Sequence, residues 1–137
     1  PAVPPEHAEA HRLAQEGDYA GAADAYEQVL EREPDDELAK RGRAKALLLA
    51  RSANADVREA REKAAANPDD LDAQLAVADV DMIGGQIQDA FDRLLDYLAA
   101  HPDAVEPIRE RMLEYFLIPE ADERLARARR RLATLMY

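Results

Sequence analysis

The chain has 137 residues, a formal net charge of -11 and no cysteine, a length that buries a core without metal or disulfide staples. Without thiols there are no disulfides, thiolate nucleophiles or cysteine zinc sites, and an acidic surface repels phosphate backbones and anionic lipid, so neither nucleic acid nor a membrane is an expected partner. No apolar run approaches the ~20 residues that cross a bilayer, and PAVPPE lacks the basic and apolar parts of a signal peptide. Aromatics are 5% of the chain and glycines number five; alanine, leucine, glutamate and arginine dominate, which favours helix nearly everywhere.

The first five residues, lacking Met and holding three prolines, read as a linker (1–5) entering the domain of an excised piece. Beyond them the pattern predicts eight helices, near 5–16, 19–33, 36–51, 55–66, 70–83, 87–100, 104–117 and 120–136. A fixed period organises them. Pro34, Pro68 and Pro102 are 34 residues apart, and Ala10, Ala44 and Ala78 keep one phase of that period, as do Leu30, Ala64 and Leu98. Each proline lacks an amide hydrogen and pushes its predecessor towards extended backbone, so it ends a helix. The acids behind it, Asp35 or Asp36, Asp69 or Asp70, and Asp103, are placed to cap the next one.

Inside a repeat, Gly17 and Gly85 supply the backbone freedom for a tight turn. Small residues at Ala10 with Ala22, and Ala78 with Ala90, let two helices approach closely. Tyr26, Val29 and Leu30 form a stripe that buries against a neighbouring repeat. The second repeat is irregular: RSANADV replaces the glycine turn and Asp56 stands where the others have alanine, so its second helix is expected to start late or pack loosely. The last pair is degenerate, with Pro119 at the turn phase and Met112 and Arg124 at the small-residue phases.

At EGDYAGAADAYEQVLEREPDD the chain resembles the tetratricopeptide-repeat family in turn, small-residue, aromatic and proline positions at a 34-residue length. The resemblance implies an all-α, right-handed solenoid of helical hairpins in one domain, 6–137, with repeats near 6–34, 35–68 and 69–102 and a degenerate capping pair at 103–137. A narrower likeness runs through ANPDDLDAQLAVADVDMIGGQIQDAFDRLLDYLAAHPD and the basic final helix ARARRRLATLMY, which are similar to the C-terminal half of bacterial thioredoxin-like co-chaperones of the chaperedoxin (YbbN) type. That likeness implies a cytoplasmic protein whose partners are unfolded client proteins and a chaperonin. The alternative is a scaffold or dimerisation module beside a catalytic domain.

The family lines its concave groove with the first helix of each pair, which places His7, His11, Leu38, Arg41, Lys45, Leu48, Leu75, Asp79 and Met82 at a protein-binding groove. The Lys and Asn pairs with which some members hold a peptide carboxylate are not matched there. Arg41 and Lys45 read equally as a solvated face with i, i+4 neighbours. His7 and His11, four apart, could reach one metal, but a structural zinc needs about four ligands, so they read as exposed histidines on a frayed first helix. No metal and no cofactor is expected.

In the final helix Leu125, Ala128, Leu132 and Leu135 form an apolar stripe and five arginines cover the rest. Residues 120–137 hold five arginines against three acids, a net of +2, leaving -13 for the other residues. The stripe can seal the open end of the stack, and Arg127, Arg131, Leu135, Met136 and Tyr137 can meet a partner. A phosphate loop and a nucleophile elbow are lacking and serine occurs once, at Ser52, so no enzyme activity is expected.

Overall fold

In the computed structural model, residues 3–137 are described, and these contain helices, turns and loops without a strand. Eight α-helices follow one another: α1 (Ala8–Gln15), α2 (Tyr19–Arg32), α3 (Glu37–Ser52), α4 (Val57–Ala66), α5 (Leu71–Ile83), α6 (Ile87–Ala100), α7 (Val105–Tyr115) and α8 (Glu123–Met136). Two compact units result, one up to Ala53 and the other Asn54–Tyr137.

In the first unit α2 packs against both α1 and α3. Gly17, at φ 83°, turns α1 into α2: its own amide bonds the Ala14 carbonyl and the Asp18 amide reaches back to Leu13 at 2.9 Å. That paired closure needs a left-handed residue, which glycine adopts without steric cost. Asp18 then caps α2 by accepting from the Gly21 amide. Ala22, Ala23 and Ala46 are buried with Leu13, Ala14 and Leu47 packed on them, so small side chains do bring these backbones together.

In the second unit α5 packs on α4 and α6, and α6 also carries α7 and α8. Gly85, at φ 80°, repeats the Gly17 turn, with the Gln86 amide on the Asp81 carbonyl at 2.8 Å. The largest fully buried side chains include Phe91, Leu94, Leu95, Leu98, Ile108, Met112 and Tyr115, each worth ~1.5–3 kcal/mol when removed from water. Phe91 meets Phe116 edge-on with ring centroids 5.5 Å apart.

Several expected details resolve and others change. Asp36 and Asp70, not Asp35 and Asp69, accept from the amides of Ala39 and Ala73 and cap α3 and α5. Asp103 caps nothing. It lies in a 3-10 turn, Pro102–Ala104, that runs straight into α7, whose N-terminus has no side-chain cap. A second 3-10 turn, Pro5–His7, precedes α1. Asp56 is itself a cap, accepting from the Glu59 amide, so α4 starts late for a definite reason. Asp122 caps α8, which therefore begins at Glu123 rather than near 120.

Candidate functional site

The residues expected in a groove separate by burial. His11, Arg41, Lys45 and Leu38 are exposed, Leu38 by 60%, whereas Leu48, Leu75, Asp79 and Met82 are buried and offer no free surface. His11 and Lys45 do share one concavity of about 320 Å³ in the first unit, with Tyr19, Tyr26, Gly42 and Leu49 around it.

His7 corrects the expectation of an exposed, frayed histidine: it is 3% exposed. Its ring stands edge-on to Tyr26 with centroids 5.7 Å apart, and its Nε2 lies 2.7 Å from Asp36 Oδ2. The other Asp36 oxygen accepts the Ala39 amide at 3.0 Å. That amide bond and the imidazole together hold the Asp36 carboxyl below the usual carboxylate range. Donor atoms of Glu6, His7 and Asp36 lie within 4.8 Å of one another, but the imidazole–carboxylate bond and the cap already use His7 and Asp36. His11 is elsewhere, beside Gln15 at 3.1 Å.

Two charged networks in the second unit escaped sequence reading. Asp79 accepts from the Tyr115 hydroxyl at 2.6 Å and from Arg111 Nη1, which is 3.1 Å from both carboxylate oxygens. Burial, with Asp79's charge beside it, pushes the Tyr115 phenol far up, so it stays a donor. The other network surrounds Asp81, 1% exposed: Arg61 Nη2 donates to it at 2.6 Å, and Arg93 Nη1 donates to Gln74 at 2.7 Å. Gln74 in turn donates to the carbonyls of Ala64 and Asn67. Arg93 Nε, 4.0 Å from Asp81, is too far for a hydrogen bond and lacks another. These bonds tie α4, α5 and α6 together and occupy the walls of an open polar basin of about 550 Å³.

A different cavity lies between α7 and α8. It measures about 410 Å³ and is lined by Arg109, Leu113, Phe116 and Leu117 from the first helix and its end, and by Arg129, Leu132, Ala133, Met136 and Tyr137 from the second. On each helix these recur at three- and four-residue steps, one face apiece. Leu113 is 43% exposed and Tyr137 99%. Of the residues expected to meet a partner, Met136 and Tyr137 thus line the cleft. Arg127 and Arg131 turn instead to α6, reaching Gln88 at 3.4 Å and Asp96 at 2.7 Å, and Leu135 is half-buried outside the cleft. Leu113, Phe116 and Leu117 were missed, although their spacing on α7 held the signal.

Among the described residues, no helix is long and apolar enough to cross a membrane. No solved structure matches the chain. An uncharacterized protein of Mycobacterium bovis and two of Mycobacterium tuberculosis are each 31% identical to it over 137 residues. The match covers 98% of this chain and 45% of theirs, so the chain spans about half the length of the curated relatives it matches. Residues 50–137 match the family described as tetratricopeptide repeat. With hairpins turned at Gly17 and Gly85 and small residues buried at the repeating phases, the chain belongs to the tetratricopeptide repeat family.

Proposed function

We propose that this chain is the client- or chaperonin-binding part of a bacterial, cytoplasmic, thioredoxin-like co-chaperone, and that it takes its partner in the cleft between α7 and α8. Repeats of this family generally mediate contacts between proteins. One observation carries the choice of place. The α7–α8 face carries Leu113, Leu117, Met136 and Tyr137 around an open cavity, where a helix surface turned to water would ordinarily be polar. An apolar recess on a chain of net charge -11 suits contact with apolar protein surface.

The test uses the full chain with reduced, chemically unfolded α-lactalbumin and, separately, purified bacterial chaperonin, read by crosslinking and sedimentation. Binding of either is expected, and Leu113→Glu, at a half-open position, is expected to weaken it at least tenfold. Failure to bind both, or binding indifferent to Leu113→Glu, removes the reading. A second reading, equally compatible with the relatives' greater length, is a scaffold that positions a neighbouring domain. A catalytic domain of another class, encoded next to this segment in its gene, would select that alternative.

A further inference from the structure

We infer that the α7–α8 cleft takes an amphipathic segment of a partner protein whose apolar row is flanked by carboxylates, an inference that rests on reading this cleft as the protein-binding site. Its walls are apolar, but Arg109 and Arg129 border it. On so acidic a chain most arginines of α8 find an internal acid: Arg124 with Asp122 at 2.7 Å, Arg130 with Glu123 at 3.2 Å and Arg131 with Asp96 at 2.7 Å. Arg109 and Arg129 are different. Among the described residues neither has a carboxylate within the 4.0 Å of an ion pair, and both are exposed.

The Arg129 guanidinium sits 5.1 Å over the centre of the Phe116 ring. That cation–π contact uses no carboxylate, so the planar fork of Arg129 keeps N–H donors with which to receive one through two parallel bonds. Phe116 therefore steadies an open donor fork at the rim of an apolar recess. The matching ligand places leucine- or phenylalanine-type side chains in the recess and an aspartate or glutamate at either border. A second copy of this chain would bring its own charge of -11 and meet general repulsion; a short segment with a few acids meets little. Lysine beside the apolar row would face two uncompensated arginines and be rejected.

Two short synthetic helical peptides test this, identical in their leucine row and differing only in flanking Glu or Lys. Their affinity for the full chain is read by fluorescence anisotropy, with sedimentation velocity on the chain alone. The Glu peptide is expected to bind at least tenfold more tightly and to weaken with salt. The double variant Arg109→Glu, Arg129→Glu changes two exposed side chains, so its helical circular dichroism should be retained while its preference inverts. Equal affinity for the two peptides, or a Glu preference unchanged in the double variant, overturns the inference. So does a dimer of the chain that disappears in Leu113→Glu, because the cleft is then filled by a second copy. If the Glu peptide binds as expected while client and chaperonin do not, the co-chaperone reading alone fails; client binding without the charge preference removes only the present inference.

Discussion

Asp79 contributes most to this fold through what it keeps satisfied. It is 4% exposed and accepts from both Tyr115 and Arg111. Asp79→Ala would strand a buried hydroxyl and a half-buried guanidinium, and a loss of about 3–5 kcal/mol is expected, the range for breaking a buried pair by removing one partner. Urea denaturation should show a lower midpoint with an unchanged slope; a change under ~1 kcal/mol would mean that water replaces the carboxylate. Asp79→Asn keeps the shape and should lose less. Individual residues were read unevenly from sequence. The caps of α3 and α5 are legible to within one residue, as Asp35 or Asp36 and Asp69 or Asp70, because a cap needs only its own next three residues. His7 was not, since its burial is set by Tyr26 on the next helix and by Asp36, 29 positions along the chain. Asp79 and Arg111 are 32 apart, and a buried charge pair at that distance leaves no local pattern.

Between helices, Gly42 decides how closely α3 lies on α2. A Cβ placed there would overlap the Tyr26 ring, which also stands against His7. Two effects compete in Gly42→Ala. Helix propensity alone favours alanine by up to ~1 kcal/mol, while overpacking costs about 1–3 kcal/mol. The overlap involves a ring already held on another side, so a net loss of about 1–2 kcal/mol is expected in equilibrium unfolding. In a Tyr26→Leu background the same change should become neutral or stabilising. Stabilisation by Gly42→Ala in the native background would show that the ring is free to move. The helices themselves were legible because prolines and glycines punctuate them at a constant interval. α6 begins and ends where expected, at Ile87 and Ala100. The start of α7 was less so, because Pro102–Ala104 forms a 3-10 turn whose i to i+3 bonding looks like helix in sequence.

For the molecule as a whole, family membership rests on the period and on the match over residues 50–137, and the period is plain in the sequence alone. The proposed binding surface is only half visible in the sequence. In sequence Leu135, Met136 and Tyr137 mark an adaptable apolar edge, whereas α7 reads only as one arm of a degenerate hairpin, and its residues Leu113, Phe116 and Leu117 gain meaning only beside α8. A cleft is a property of two helices and neither sequence segment contains it. Both helices rest on α6, which supports their inner faces and leaves the outer ones to be covered by something else.

Hydrogen exchange of the full chain, with and without reduced, unfolded α-lactalbumin, measures directly where contact occurs. Slower exchange is expected in residues 105–117 and 123–137 when the client is present, with Pro5–His7 and α1 to α3 unchanged. Protection confined to α1 to α3, or none at saturating client, would contradict the assignment of binding to the α7–α8 cleft.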